Sequence, residues 1–184
     1  MCAVQSSPRI ATDRLVLRRP GLQDAARIAD LINDLDVARM LTRVPHPYAL
    51  ANAEDFIARM AGSSDKGDQA LVVEHREMGA IGMVGLHPQP EPSDIGFTLQ
   101  PELGYWLGRT FWGRGFATEA VAAVLTWARE ALGFRAVASG HFADNPASGR
   151  VLAKADFLYT GEVQTRLSLA RQDVVPARMM VWLA

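Results

Sequence analysis

Residues 105–120, Tyr-Trp-Leu-Gly-Arg-Thr-Phe-Trp-Gly-Arg-Gly-Phe-Ala-Thr-Glu-Ala, pass from a strand through a glycine-spaced turn into a helix. Gly113 and Gly115 flank Arg114, and Ala117, Ala120, Val121, Val124, Leu125 and Ala128 recur at the spacing of a buried helix face. The helix is therefore predicted to start near Gly115. Its first amides have no partner within the helix and the macrodipole adds partial positive charge, so a phosphate is stabilised there by backbone alone. Glycines without a β-carbon let its oxygens approach the chain. The same spacing also suits a tight turn that merely starts a helix. No Gly-x-x-x-x-Gly-Lys-Ser/Thr occurs, and Thr118 stands where a dinucleotide fingerprint needs its third glycine. A nucleotide triphosphatase or dehydrogenase is thus disfavoured.

A chain of 184 residues has the size of one domain and is long enough to bury a single core. Nineteen basic residues against 20 acidic ones give a net charge of −1, which offers no general attraction to nucleic acid or anionic membrane. Any anion binding must be local. The single cysteine, Cys2, rules out an internal disulfide. Without a signal-like or membrane-spanning apolar run, a cytoplasmic protein is expected. The four histidines show no metal-ligand spacing, so no metal site is expected.

Alternation at 15–18 predicts a first strand after a disordered segment, 1–9. Ala25, Ile28, Leu31 and Ile32 predict a helix, and Ala53, Phe56, Ile57 and Met60 a second one beyond the turn at Pro45-His46-Pro47. Residues 62–67 read as a polar loop, 69–75 and 80–87 as a hairpin, and 88–93 as a proline-rich loop. A strand at 102–107 contains Gly104, which suggests a bulge or close backbone approach. Further strands are expected at 136–141, 158–164 and 178–183, with a helix over 146–155 capped by Asn145. The fold class is α/β: one domain with a mixed, mostly antiparallel twisted sheet of six to seven strands and helices on both faces.

Three blocks within this order resemble the GNAT (Gcn5-related) N-acetyltransferases, and most closely the RimJ/RimL-like ribosomal-protein N-terminal acetyltransferase branch. They are Arg14-Leu15-Val16-Leu17-Arg18, then Glu102 to Leu107 joined to Trp112 to Ala120, and Asn145-Pro146-Ala147-Ser148 running on to Lys154 and Phe157. The resemblance spans residues 10–183. It implies a GNAT fold over 10–184 and acetyl-coenzyme A as cosubstrate. The pantetheine arm would pair with the 102–107 backbone as an added strand, and the pyrophosphate would sit on the turn from Gly113 to Thr118. The implied coenzyme contacts are Tyr105, Trp106, Leu107, Trp112, Gly113, Arg114, Gly115, Phe116, Ala117, Thr118, Asn145, Arg150 and Lys154. The 136–141 strand must then splay away from that edge, with a bulge near Gly104 assisting.

The chain departs from the superfamily pattern at three places. Trp112 stands where Gln or Arg opens the loop, Leu152 where many members carry a proton-donating tyrosine, and Asp156 where a glycine precedes Phe157. The branch offers Ser148 instead of the tyrosine.

Acetyl transfer to an amine needs a neutral amine, a stabilised oxyanion and a protonated leaving thiolate. Glu102, at the start of the coenzyme strand, is the candidate base, directly or through water; its alternative is a solvated strand-end charge. Ser148 is the candidate thiol donor, or else a plain first-turn serine. A backbone N–H on 105–107 would serve the oxyanion. Asn145 suits both a pantetheine contact and a helix cap. Arg150 and Lys154 share a helix face, which fits either a 3′-phosphate contact or a solvated surface. Trp106 and Trp112 line the channel or fill core, and Tyr48 and Phe56 are the guess for the acceptor wall. The expected function is transfer of acetyl to a primary amine, on a protein N-terminus or a small molecule. The alternative is a non-catalytic acyl-coenzyme A sensor. The partners are the coenzyme and the amine, with no nucleic acid or membrane and a homodimer left open.

Overall fold

A computed structural model describes residues 8–62, 68–88 and 101–184. The loops expected at 62–67 and 88–93 lie largely outside these residues, as does most of the segment expected to be disordered at 1–9. Eight strands form one sheet in the order β1-β2-β3-β4-β5-β6-β8-β7. They are β1 (Arg9–Ala11), β2 (Leu15–Arg18), β3 (Gln69–His75), β4 (Gly79–His87), β5 (Glu102–Leu107), β6 (Ala136–Phe142), β7 (Leu158–Ser168) and β8 (Asp173–Leu183). The helices are α1 (Ala25–Ile32), α2 (Leu35–Ala38), α3 (Leu50–Ala61), α4 (Phe116–Glu130) and α5 (Pro146–Lys154). Eight strands exceed the expected six to seven because Arg9–Ala11 pairs with Val16–Arg18. Arg9 thus belongs to the sheet.

Every pairing is antiparallel except β5 with β6. The sheet is covered on both faces. On one, α4 and α5 bury Phe116, Val121, Val124 and Leu152 against Leu15, Leu17, Leu103 and Leu107. On the other, Ile28 of α1 and Ile57 of α3 pack with Val72, Met83 and Trp106. Strand alternation therefore divides β5: Leu103, Tyr105 and Leu107 face α4, whereas Glu102, Gly104 and Trp106 face the α1–α3 side.

The bulge is not at Gly104. Register runs unbroken through Gly85 opposite Gly104 and shifts instead between β3 and β4, where Val73 opposes Gly82 and Glu74 opposes Ala80. Ile81 is the extra residue, and the parity change puts it in the same core as Val84 and Leu86. The expected splay is nonetheless present. Between β5 and β6 the only aligned pair is Glu102 with Ala138.

Candidate functional site: two cavities sharing one strand

Because the amide of Gly108 donates to the carbonyl of Ile81 (2.9 Å), the even-numbered residues of β5 turn their backbone groups toward β4. The odd-numbered residues turn theirs toward the gap left by β6. Two of those carbonyls are already engaged: Ser139 Oγ donates to Leu103 (2.9 Å) and Trp112 Nε1 to Leu107 (2.8 Å). The free portion of the edge is centred on Tyr105.

This edge leads directly to the turn before α4. Gly113 (φ 74°) and Gly115 (φ 80°) both adopt left-handed backbone, where a β-carbon costs about 1–2 kcal/mol. Glu119 donates its amide to the Gly115 carbonyl (3.1 Å) as the first rung of the helix. The amides of Phe116, Ala117 and Thr118 precede that rung and point out of the helix start.

The turn is fastened from a distance. Glu119 accepts from Thr12 Oγ1 (2.6 Å), the Arg14 amide (3.0 Å) and Arg14 Nε (2.7 Å), while Arg14 Nη1 donates to the Arg114 carbonyl (3.1 Å). Burial raises the Glu119 carboxyl pKa, but the bonds from Thr12 and Arg14 outweigh it and hold the group below its ordinary value. Thus the opening arginine of the first motif block has a structural use: it ties the β1–β2 turn to the glycine turn before α4.

A cavity of about 410 Å³ follows the splay. Its walls are the 102–107 strand, Trp112, Gly113 and Gly115 of the turn, Phe116 to Thr118 of α4, and Asn145, Ser148, Arg150 and Lys154 around α5. All the expected coenzyme residues line it except Arg114, whose carbonyl is the part engaged by Arg14. Asn145 caps α5 by accepting from the Ser148 amide (3.2 Å). Trp112 is 45% exposed.

Ser148 and Tyr105 meet across this cavity. The Tyr105 hydroxyl lies 2.7 Å from Ser148 Oγ and 3.0 Å from the Ser148 carbonyl. Burial pushes the Tyr105 phenol up to about 12, against a smaller downward effect of the Ser148 bond, so it keeps its proton at neutral pH. The sequence reading used Tyr105 only through its backbone. Nothing in the spacing of residues 105 and 148 signals their contact.

A second cavity of about 530 Å³ lies on the other side of β5, and Glu102 to Trp106 and Arg166 border both. Tyr48 and Phe56, the residues guessed for an acceptor wall, both line it. Glu102 is only partly exposed and accepts from Arg166 Nη1 in a salt bridge. Arg166 is held in turn by Gln164 Oε1, at 3.3 Å from Nε and 3.0 Å from Nη2. Opposite Glu102 in register stands His87, whose Nδ1 is 2.9 Å from Asp68 Oδ1. A β-carbon on Gly104 would lie 3.3 Å from His87 Nε2, so the imidazole overhangs that glycine. This pair was also missed, because its partners are 19 residues apart with no motif between them.

A family model described as an acetyltransferase (GNAT) domain matches residues 14–158. The chain belongs to the GNAT acetyltransferase family. As a GNAT member it is an acyltransferase with acetyl-coenzyme A as cosubstrate. It is 29% identical over 165 residues to the uncharacterised N-acetyltransferase YoaA of Bacillus subtilis, covering 84% of this chain and 85% of that one. Among solved structures, RimJ of Mycobacterium smegmatis with a coenzyme A disulfide superposes with a TM-score of 0.81 at 16% identity, over 97% of this chain and 88% of that one. Spermidine N-acetyltransferase of Vibrio cholerae, in complex with coenzyme A and spermine, gives 0.73 at 20% identity, covering 94% and 96%. Both structural likenesses extend the GNAT fold to nearly the whole chain. Among the described residues no cluster of three or more His, Cys, Asp or Glu could hold a metal, and no helix is long and apolar enough to cross a membrane.

Proposed function

We propose that this GNAT protein moves the acetyl group of acetyl-coenzyme A directly to a primary amine. The observation that carries this reading is the continuity of the open Tyr105 edge with the amides at the start of α4. One cavity thereby offers strand pairing for the pantetheine amides and a helix terminus for the pyrophosphate. Arg150 and Lys154, along the same wall, would meet the remaining phosphate.

The acceptor enters from the cavity on the Glu102 side. Glu102 takes a proton from the ammonium, and the amine nitrogen then attacks the thioester carbonyl carbon. Backbone N–H groups of 105–107 stabilise the oxygen as negative charge develops. Collapse of the tetrahedral intermediate breaks the C–S bond, the new amide nitrogen loses its second proton to solvent, and the thiolate takes a proton from Ser148. Tyr105 passes a proton to Ser148 across the 2.7 Å contact, and solvent returns a proton to Tyr105 and takes the one held by Glu102. The products are the N-acetylated amine and coenzyme A. The cytoplasm suits these substrates.

Glu102→Gln tests the base. General-base assistance is worth about 10²- to 10⁴-fold, so kcat/KM should fall by that order at pH 7, with acetyl-coenzyme A affinity retained. The deficit should shrink as the amine deprotonates in solution at higher pH. A second reading is favoured by the His87–Asp68 pair. With Nδ1–H donated to Asp68, Nε2 keeps its lone pair over Gly104. If His87→Gln shows the larger, pH-compressed deficit while Glu102→Gln does not, the imidazole is the proton acceptor.

A further inference from the structure

We infer that the acceptor is a small primary amine with one positive charge and a compact apolar body, aromatic or branched aliphatic. This rests on the acetyl-transfer reading above and names the substrate class of that site.

The floor of the second cavity is built by β4 and β5. Three cross-strand pairs of β4 and β5 follow one another on the α1–α3 face: Met83 with Trp106, Gly85 with Gly104, and His87 with Glu102. The glycine pair contributes no side chain. Both glycines line the hollow, although a β-carbon on Gly85 would run into the Gln69 carbonyl, and the hollow is bounded at one end by a thioether and an indole and at the other by an imidazole and a carboxylate. Tyr48, Phe56 and Met60 pack around the Trp106 end. Burial raises the pKa of the Tyr48 phenol, the nearby Asp55 adding to this and Arg59 opposing it, so a neutral aromatic surface faces the hollow.

The polar end has little negative charge to spare. Among the described residues lining this cavity, the acids are Asp55, Asp68 and Glu102, against Arg43, Arg59 and Arg166 with His87. Asp68 is bonded to His87 and Glu102 to Arg166. Asp55 stands one helical turn before Arg59 on α3. A single ammonium can be received beside Glu102, where it is to be deprotonated. A second or third ammonium, as on a linear polyamine, would meet on the methionine and aromatic floor, among the described residues, no acid but Asp55, whose charge is opposed by Arg59 one turn along α3, and desolvating a charge so weakly compensated is unfavourable. The apolar body of a monoamine gains from the same surface. A volume of about 530 Å³ is in the range of small-ligand sites. The bound polyamine of the Vibrio cholerae neighbour is therefore the wrong class for this chain.

Steady-state acetylation by the full chain, followed by thiol release, tests this with 2-phenylethylamine, isopentylamine, spermidine and a peptide beginning with Phe. The two apolar monoamines should exceed spermidine at least tenfold in kcat/KM. Phe56→Ala should lower kcat/KM for 2-phenylethylamine about tenfold, a larger factor than for methylamine, and an equal fall for both overturns the apolar-body assignment. Spermidine equal to or better than the monoamines overturns the inference and leaves acetyl transfer standing. A peptide preferred by more than tenfold overturns the small-molecule assignment. If acetyl-coenzyme A binds but no amine is turned over, the acetyl-transfer reading fails. The floor is then read by tryptophan emission: 2-phenylethylamine must shift the wild-type spectrum and leave Trp106→Phe unchanged, and no shift overturns the inference as well.

Discussion

The Tyr105 hydroxyl on β5 and the Ser148 hydroxyl on α5 lie 2.7 Å apart, in the wall of the cavity that follows the open strand edge. With a leucine at position 152, we propose that Ser148, backed by Tyr105, takes the proton-donating role that the superfamily's usual tyrosine would have had. If Ser148 protonates the thiolate, Ser148→Ala should lower kcat with little change in coenzyme affinity, because the bond strengthens only as C–S cleavage proceeds. Tyr105→Phe should produce a smaller loss of the same kind. Equal coenzyme affinity with unchanged kcat in both variants would remove the pair from the chemistry. A fall in affinity alone would make Ser148 a binding contact.

Gly115 should tolerate replacement poorly for two separable reasons. Its φ of 80° strains any β-branched residue, and its carbonyl begins the α4 ladder. Gly115→Val should lower the melting temperature and weaken acetyl-coenzyme A binding at least tenfold, about 1.4 kcal/mol. Gly115→Asn suits left-handed backbone better and should recover much of the stability while still binding weakly. An asparagine variant with wild-type affinity would separate this turn from the phosphate site.

Glu119 makes an acid-dependent contribution to stability. Its carboxyl is held below the ordinary glutamate range in the folded protein, so the stabilisation is fully present above the unfolded-state pKa and is lost as pH falls through the lower folded-state value. Arg14 is nearly half exposed, which limits the gain to roughly 1–2 kcal/mol. Glu119→Gln should therefore melt several degrees lower at pH 7, and the difference should close as the pH falls below about 4. A constant difference across that range would show that the ion pair is not its source.

Asp156, at φ 66°, follows α5 in the left-handed conformation. Because it is exposed and glycine is the preferred residue at such a helix end, Asp156→Gly should raise stability by about 1 kcal/mol, or about 2–4 °C in melting temperature. A lower melting temperature by calorimetry would show that the carboxylate has a contact worth more than the strain.

What the sequence revealed and concealed follows the range of the interactions. The start of α4 at Phe116, the bounds of the 102–107 strand and the Asn145 cap depend on neighbours within a few positions, and each was legible. Three-residue β1 is too short to display a period. β7 and β8 run to Ser168 and down to Asp173, beyond the expected 164 and 178, because Thr165, Arg166 and Ser168 hide the extension behind polar side chains and Pro176 interrupts the apolar pattern. The expected Gly104 bulge failed for a related reason. A glycine opposite another glycine keeps register while emptying a floor, which spacing cannot distinguish from a bulge. The ties of Tyr105 to Ser148, Arg166 to Glu102 and His87 to Asp68 join distant segments and are visible only once the sheet is assembled.

The single β5–β6 pairing makes the sheet two panels, β1 to β5 and the β6-β8-β7 group, joined by one rung. A pantetheine bonded along the open edge would serve as the missing seam. The alternation along β5 gives that seam a signature in amide exchange. The Tyr105 N–H should exchange rapidly in the free protein and slowly with coenzyme bound. Those of Gly104 and Trp106, already turned toward β4, should be slow in both states. Neighbouring amides on one strand would then report opposite sides of the same ligand-dependent closure.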